Sequence, residues 1–545
     1  MNKLLLVTLF TLCAFHSFAQ FTTLGKGPSF EEPEEGYAKV LLLADKRTAY
    51  VHLTASEGIM LKIYGTDRKQ LISKKVQHKF GKLRAMTLEG CFEIDSTITL
   101  LISEWDERVP VLYRIILNEN TGEIIQQEEL LRLKKVTLGA AYATVFGGMT
   151  LPDFTVRKDP VSSNYAIASF NSFVSEKDRR VEVLHYNHKH ELISKSYLST
   201  PENKFKYVNI LDIYVHGDKS VFTLIYAYNT RSSGGKENDL FLADFQDNNQ
   251  DVTYTDLDLP EGAKVQGAIL KYNHVTKSVH SLVQVFAEGK KGSGFGKSTT
   301  YFALKHDIIN PLTRGVQSVD MPSMQALDDK MKELFGKKEQ YSGVLQDFYI
   351  NTDGGYTLIL EGLLTEVISR SSGTYTHYYL GNIGVLTCNA NHKLISSALI
   401  PKNHMLNNSV MTGGSGVTAA PLDHAKLVNG GQWLKGGNQF KSFAYVSGKT
   451  NNYVLVNEIE ENDEKIEKGK LIKISGVKEC DAFSFETGSG NVLPKRKFLF
   501  SKGSDHNLAL LGVSDYNAED NLYVTLLLNV DGRDRKVKVV WLKPQ

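Results

Sequence analysis

Short runs in which apolar and polar residues alternate recur along most of the chain, and turns rich in Gly, Asn, Asp and Ser separate them. Such runs are typical of β-strands joined in hairpins. From Tyr37 onward eight hairpins can be read, at 49–75, 97–127, 164–196, 220–247, 278–307, 355–400, 440–463 and 506–542. The pattern therefore predicts an all-β domain over residues 37–545.

The phrase that follows the turn is nearly the same in three hairpins: KQLISKK (69–75), HELISKS (190–196) and HKLISSA (392–398). Weaker relatives are TGEIIQQ (121–127), KGKLIKI (468–474) and RKVKVVW (535–541). A recurring unit of this kind predicts a β-propeller, in which radially packed sheets bury both faces and leave only short edges. We predict seven or eight four-stranded blades, with eight favoured, and place the repeated phrase on the outer strand of its blade.

One segment departs from the β pattern. Met324, Leu327, Met331 and Leu334 fall on one face of a helix that Ser323 can cap, and a glycine at 336 ends it. The spacing predicts one short amphipathic helix inserted near 323–336. We expect it to lie over a junction between blades, with docking of a partner as the alternative.

The N-terminal segment has the features of a secretory signal peptide. Lys3 supplies a positive charge, residues 4–15 are mostly apolar, and Ser17 and Ala19 are small residues before a cleavage site. The apolar stretch is shorter than the roughly 20 residues that a membrane-spanning helix needs. We expect a signal peptide over 1–19, no membrane span, and an exported protein that is periplasmic or extracellular.

Residues 20–36 lack a periodic pattern and carry glycines, prolines and an acidic run, so they are predicted to form a tether before the domain. The formal net charge of the chain is +2 and falls by one without the signal peptide. A charge so close to balance gives no electrostatic basis for binding nucleic acid. We expect a monomer.

Cysteines are few and widely spaced. Without the signal peptide only Cys91, Cys388 and Cys480 remain, and no CxxC pair is present. One disulfide among them is possible, and the alternative is three small residues inside strands. The second interpretation is favoured, and the sequence cannot choose which two cysteines a disulfide would join.

Two patterns resemble cofactor sites. His185, His188 and His190 form an HxxHxH cluster, but zinc needs ligands that converge on one point, whereas this segment runs from a strand into a turn. The glycine-rich loop 292–298 resembles a phosphate-binding loop, but Lys291 stands where the first glycine is required. We therefore predict that the histidine segment is a solvated turn and that 292–298 is a hairpin loop. We predict neither a metal nor a cofactor.

The best candidates for ligand binding lie near the sixth hairpin. Tyr375, His377 and Tyr378, in the polar loop 369–379, would suit stacking and hydrogen bonding to a sugar or peptide, and an ordinary solvent loop is the alternative. Glu361, at a strand end, is the most interesting carboxylate. Its alternative role is structural, as an acceptor for backbone amides near the central axis.

The same region carries a resemblance to known proteins. The segments DGGYTLILE (353–361), NIGVL (382–386) and IPKN (400–403) follow one another in an order that resembles a group of exported bacterial propeller-like proteins of the Gram-negative envelope, which have no assigned activity. The resemblance is specific over about 343–404. In this chain Asn391 and His392 replace the usual Asp/Gly turn, and Ser397 stands near the usual Trp. The resemblance implies a propeller and an envelope location, and it transfers no catalytic residue.

Two functional hypotheses follow. The first is an exported, non-catalytic propeller that binds an envelope protein or a surface glycan. The alternative is a glycan-active hydrolase or lyase with its site in the propeller funnel, which requires carboxylates or histidines that converge there. No G-x-S-x-G motif is present to indicate a serine nucleophile.

Overall fold

The chain forms an eight-bladed β-propeller in which each blade is built on four antiparallel strands. The structure is a computed structural model, and it describes residues 20–137, 151–171, 173–200, 204–229, 237–246, 252–260, 263–288, 300–336, 341–370, 373–407, 410–412, 436–488, 493–502, 505–530 and 535–545. The predicted signal peptide and the glycine-rich loop 292–298 lie outside these residues. The predicted all-β fold and the favoured count of eight blades are confirmed.

In blades 1 to 7 the strands run from the first to the fourth position in chain order, whereas in blade 8 the strand nearest the N-terminus takes the fourth position. The first part comprises β1 (Phe21–Lys26) and β2 (Phe30–Glu31); blade 1 with β3 (Tyr37–Leu42), β4 (Thr48–Thr54), β5 (Gly58–Tyr64) and β6 (Gln70–Val76); blade 2 with β7 (Thr87–Ile94), β8 (Thr97–Asp106), β9 (Val109–Asn118) and β10 (Ile124–Arg132); blade 3 with β11 (Asp153–Lys158), β12 (Tyr165–Phe170), β13 (Val181–Tyr186) and β14 (Leu192–Leu198); and blade 4 with β15 (Tyr207–His216), β16 (Ser220–Tyr228), β17 (Asn238–Gln246) and β18 (Val252–Asp256).

The second part has the same plan, with additions in blades 6 and 8. It comprises blade 5 with β19 (Lys264–Asn273), β20 (Ser278–Glu288), β21 (Thr300–Ile309) and β22 (Val316–Asp320); blade 6 with β23 (Gly343–Ile350), β24 (Tyr356–Arg370), β25 (Gly373–Cys388) and β26 (Leu394–Ile400), and with β27 (His404–Met405) and β28 (Val410–Thr412) added to β25; blade 7 with β29 (Phe443–Ser447), β30 (Asn452–Glu458), β31 (Asp481–Glu486) and β32 (Arg496–Phe498); and blade 8 with β33 (His506–Ala509), β34 (Asp515–Asn517), β35 (Leu522–Val530) and β36 (Lys536–Pro544).

Blade 8 joins the two ends of the described chain. Strand β1 pairs antiparallel with β36, from Phe21 opposite Pro544 to Lys26 opposite Val540, and β2 pairs with the start of β36. The Phe21 ring packs against Tyr453 and Tyr523, with centroids 5.0 and 6.3 Å apart. Residues 20–36, predicted to be a tether, therefore contribute the fourth strand of the closing blade. The pattern conceals this because only the first residue of β1 is buried.

The repeated phrases lie on the fourth strands, as predicted. Strands β6, β14 and β26 are largely exposed, and Leu71 and Ile395 each keep 60% of their surface accessible. The weaker relative at 121–127 leads into the fourth strand β10. The relatives at 468–474 and 535–541 were assigned wrongly. The first precedes β31 outside any strand, and the second is in the third strand β36, since β1 takes the fourth place.

Most of the core lies between adjacent blades. Between blades 1 and 2, for example, Val51 and Leu61 pack against Leu100 and Ile115, all fully buried. Full burial of an aliphatic side chain contributes about 1.5–3 kcal/mol. The blades are therefore held together by their faces rather than by their edges.

The predicted inserted helix is confirmed as α1 (Gln325–Phe335). The N–H of Gly336, in the left-handed conformation, donates to the carbonyl of Lys332, and Leu327 is fully buried. The helix packs with residues of blades 5 and 6, as expected for a cover over that junction. A second helix, α2 (Asn462–Glu467), was not predicted. Short 3₁₀ segments occur among the described residues at Lys177–Arg179, Gly436–Lys441 and Leu511–Val513. None of the helices in the described ranges is long and apolar enough to span a bilayer.

Candidate functional site

The first strand of each blade lines the propeller axis. This follows from contacts between the first strands of successive blades, from β3 with β7 through β19 with β23. A cavity of about 880 Å³ opens beside the first strands of blades 6, 7 and 1 and the inner segment of blade 8. We call it the funnel cleft.

One wall of the funnel cleft is aromatic. The rings of Tyr349 on β23 and Tyr445 on β29 lie 4.6 Å apart at 40°. Tyr516 of β34 also lines the cleft, and its hydroxyl donates to the carbonyl of Ser447 at 2.7 Å. The ammonium group of Lys271 lies 4.6 Å from the Tyr349 ring. Burial and the neighbouring carboxylate of Asp347 raise the pKa of Tyr349 far above its usual value, so its hydroxyl is neutral at any ordinary pH.

The charged groups near the axis are already paired. Lys271 Nζ lies 2.7 Å from Asp347, across the step from blade 5 to blade 6, and Arg157 Nε lies 2.9 Å from Asp212, across the step from blade 3 to blade 4. Asp515 accepts a hydrogen bond from the backbone N–H of Leu42 at 2.8 Å. These carboxylates fix the spacing of neighbouring first strands. They are not arranged as a free acid pair.

Glu361 lies inside blade 6 and not in the funnel cleft. It is 3% exposed, and its Oε1 accepts a hydrogen bond of 2.5 Å from Nζ of Lys402, which is itself fully buried. Lys402 also donates to the carbonyl of Lys441 at 2.6 Å. Burial raises the pKa of Glu361, and Lys402 opposes that shift. The partner of Glu361 is therefore a lysine rather than the backbone amides suggested as its structural role.

The other sequence candidates lie on the long hairpin of β24 and β25. His377 pairs with Glu366 and Tyr378 with Thr365, and both side chains are half-buried. Tyr375 is on the same strand, but its side chain lies outside the described residues. Glu361 pairs with Ile383 five residues before Glu366, about 17 Å away along the strand. The hairpin thus separates these candidates from Glu361.

The three histidines of the HxxHxH pattern point to different surroundings. His185 is buried and bonds to the carbonyl of Gly217 at 3.0 Å, whereas His188 is exposed. His190 shares a hydrogen bond of 3.1 Å with the hydroxyl of Tyr165. The three rings do not converge on one point. His185 lies in β13 and is fully buried, so only the part of this segment after Tyr186 forms the predicted turn.

A histidine cluster that the sequence did not reveal lies between blades 5 and 6. His306 of β21, Asp320 of β22 and His392 of the turn before β26 place their ligand atoms within 4.8 Å of one another. His280 shares a hydrogen bond of 3.0 Å with His306. Burial lowers the pKa of His306 well below its usual value and that of His280 to about 4, so both rings are neutral at pH 7. The only sequence signal is that His392 stands in its repeat where His190 stands in another.

The three cysteines among the described residues are free thiols. Cys388 and Cys480 are buried and Cys91 is half-buried. Burial raises the pKa of Cys91 to about 12, so its thiol is protonated at neutral pH. Of the two alternatives that the sequence left open, the structure adopts three unpaired small residues in the blades.

No protein-family model matches the sequence, and no curated protein matches it. The fold is similar to several solved structures. Polysaccharide lyase Uly1 shares 9% identity over 86% of this chain and 92% of that one, with a TM-score of 0.39. The Nup133 β-propeller domain of Vanderwaltozyma polyspora shares 11% over 93% and 100%, with a TM-score of 0.34. An α-L-arabinanase of Penicillium chrysogenum shares 9% over 69% and 99%, with a TM-score of 0.27. TM-scores this low carry no information on ligand or activity.

Proposed function

We propose that this protein is an exported, non-catalytic β-propeller that binds a glycan in the funnel cleft. The observation that supports this proposal is the aromatic wall of the cleft, formed by Tyr349 and Tyr445 above a cavity of about 880 Å³. Flat faces of sugar rings stack on aromatic side chains, which present apolar area with a polar tip. A cavity of this size is typical of a small-molecule site.

The polar residues of the cleft suit a neutral ligand. Asn351, Ser447 and Asn452 line it with amide and hydroxyl groups that can both donate and accept hydrogen bonds. Lys39 donates to the carbonyl of Ser514 at 3.1 Å, so this charge is partly satisfied by the protein. A protein partner would need a wider surface, of about 800 Å² on each side. A glycan chain is therefore favoured over an envelope protein.

A glycan hydrolase or lyase receives less support. The two carboxylates among the described lining residues are Asp347 and Asp515, and each is already held, one by Lys271 and the other by a backbone amide. Hydrolysis needs one carboxylic acid free to give a proton and a second that attacks or activates water. Export is supported by the predicted signal peptide over 1–19 and by the resemblance over 343–404.

Binding can be tested on a glycan array, followed by titration of the glycan that gives a signal. We expect Tyr349→Ala to weaken binding at least tenfold, or about 1.4 kcal/mol, because the stacking surface is lost. Tyr378→Ala, at the far end of the blade 6 hairpin, is the matched control and should bind normally. Unchanged binding by Tyr349→Ala would contradict the site. Cleavage products accumulating with time would contradict the non-catalytic role.

A further inference from the structure

A turn residue in an unusual conformation begins two copies of the repeated phrase and directly precedes the third. Arg68, His190 and His392 occupy the same place in the turn between the third and fourth strands, with φ of 66°, 64° and 62°. In each turn the N–H of that residue donates to the carbonyl three residues earlier, at 2.8 to 3.0 Å. A positive φ is uncommon for a residue other than glycine. The turn therefore holds this side chain, which we call the turn residue, in a fixed direction.

The turn residue of one blade meets the preceding blade. In the longer turn of blade 5, Arg314 has φ of 61° and its Nε bonds at 3.0 Å to Asp244 on the third strand of blade 4. His190 of blade 3 accepts a hydrogen bond, through its carbonyl, from Arg114 on the third strand of blade 2. His392 of blade 6 lies with its ring 5.5 Å from that of His306 on the third strand of blade 5. The contact between a turn residue and the third strand of the preceding blade therefore recurs and joins neighbouring blades.

At the junction of blades 2 and 3 this contact contains a cation. Arg114 is directly opposite Glu128 on the fourth strand and bonds to its carboxylate at 2.5 and 3.0 Å. The same guanidinium donates to the Tyr165 hydroxyl and, at 3.3 Å, to the carbonyl of His190. Charge and hydrogen bonds are both satisfied there.

The junction of blades 5 and 6 has the same positions without the cation. His306 replaces the arginine, and Asp320 lies opposite it in register, as Glu128 lies opposite Arg114. Tyr356, at the start of the second strand of blade 6, takes the place of Tyr165, and His392 takes that of His190. Two histidines and a carboxylate therefore stand at this junction in the strand and turn positions that an arginine, a histidine and a glutamate occupy at the other.

Two nitrogens at this junction are buried without a hydrogen-bond partner among the described residues: Nδ1 of His306 and Nδ1 of His392. His306 is 1% exposed, and its Nε2 is already engaged with His280, whose other nitrogen lies 3.0 Å from the Ser278 hydroxyl. An unpartnered buried nitrogen on a ring whose other nitrogen is held by a hydrogen bond is the arrangement of a metal-binding histidine.

We propose that a divalent transition-metal ion of the zinc class binds His306, Asp320 and His392 and joins blade 5 to blade 6. Two imidazoles and one carboxylate suit Zn²⁺, whereas Ca²⁺ and Mg²⁺ prefer oxygen ligands alone. Tetrahedral ligands of zinc lie about 3.4 Å apart, so ligand atoms that now lie within 4.8 Å of one another need to close by no more than about 1.4 Å. Water completes the coordination.

The test is a Zn²⁺ titration of the mature protein after dialysis against EDTA, with metal content measured by mass spectrometry. We expect one equivalent of zinc per chain, and visible absorption bands when Co²⁺ replaces it. Asp320→Asn and His392→Ala should each weaken binding by at least about tenfold. His190→Ala changes the same turn position in blade 3 and should bind zinc as the unaltered protein does.

Three results would overturn the proposal: no binding at millimolar Zn²⁺, equal binding by both site variants, or Ca²⁺ displacing zinc from the protein. Asp320→Asn keeps the shape of a half-exposed side chain, so it remains informative if His392→Ala fails to fold. Circular dichroism of each variant confirms that a loss of metal is not a loss of structure.

Discussion

The junction of blades 2 and 3 and that of blades 5 and 6 join neighbouring blades at equivalent positions but with different side chains. Both have a cross-strand pair on the preceding blade, a tyrosine at the start of the second strand and a histidine in the left-handed turn position. In the first junction an arginine supplies the positive charge, whereas in the second a histidine stands in its place. The difference shows that the repeat conserves the geometry of the contact and not the groups that make it.

The largest effect should come from converting one junction into the other. The double substitution His306→Arg with Asp320→Glu gives the blade 5–6 junction the arginine and glutamate of the blade 2–3 junction. We expect zinc binding to be lost completely, because the guanidinium takes the position of the ion and cannot act as a ligand. Metal analysis after dialysis measures this. Retention of one equivalent of zinc would mean that the two junctions are not equivalent.

Removing the cation from the other junction should reduce stability. Arg114→Ala leaves the Tyr165 hydroxyl and Glu128 without their charged partner in a largely buried place. We expect a loss of about 2–3 kcal/mol, seen as a lower midpoint of urea unfolding. Arg132→Ala, which breaks exposed ion pairs with Asp106 and Glu129, should cost no more than about 1 kcal/mol. Equal losses of unfolding free energy in the two variants would show that Arg114 contributes no more to stability than an exposed ion pair.

The histidine of the blade 2–3 junction should make stability depend on pH. Burial and Arg114 lower the pKa of His190 to about 4. As the pH falls from about 6.5 to about 4, His190 is protonated in the unfolded chain but not in the folded one. The free energy of unfolding therefore decreases over this interval, and above it this histidine causes no pH dependence. Because His190 is partly exposed, we expect the free energy of unfolding to decrease by only about 1–2 kcal/mol.

Urea unfolding at pH 7.5 and pH 5 tests this dependence. The fall between the two should be smaller in His190→Gln than in the unaltered protein. His188→Gln, at an exposed position in the same turn, should leave the fall unchanged. If the free energy of unfolding decreases equally in all three proteins, His190 does not cause the pH dependence.

The smallest effect should come from the outer strands that follow these turns. Leu71 is 60% exposed, so Leu71→Thr should change the free energy of unfolding by less than about 0.5 kcal/mol. Ile72, the next residue, packs against the core between blades 1 and 2, and Ile72→Ala should cost about 2 kcal/mol or more. Urea midpoints of the two variants compare them directly. The reverse order would mean that the strand faces the other way.

Most of the fold could be predicted because the signal is local and repeated. Each hairpin contains its own alternation and its own turn, so eight of them indicate eight blades. The errors occur where the partner of a strand is distant or displaced. Strand β1 pairs with a strand at the other end of the chain, and α2 occupies part of blade 7 ahead of its third and fourth strands, which moves the fourth strand to Arg496–Phe498.

The candidate sites were less predictable because blade packing assembles them. Glu361 was expected at a strand end but lies within β24, and its partner Lys402 comes from beyond the next two strands. His306, Asp320 and His392 belong to two blades and share no local motif. The funnel cleft is likewise built from blades 6, 7, 8 and 1, so no single segment carries its pattern.

The closing blade has a consequence for the order of folding. Phe21 and Pro544 are neighbours in space and almost the whole chain apart in sequence. During synthesis β1 emerges first but cannot pair until β36 emerges last. Contacts between residues so distant in sequence also form slowly. Until then seven blades can assemble step by step while the ring stays open. A bulky group fused ahead of Phe21 would therefore act on the final step of assembly, leaving the earlier blades to form as before.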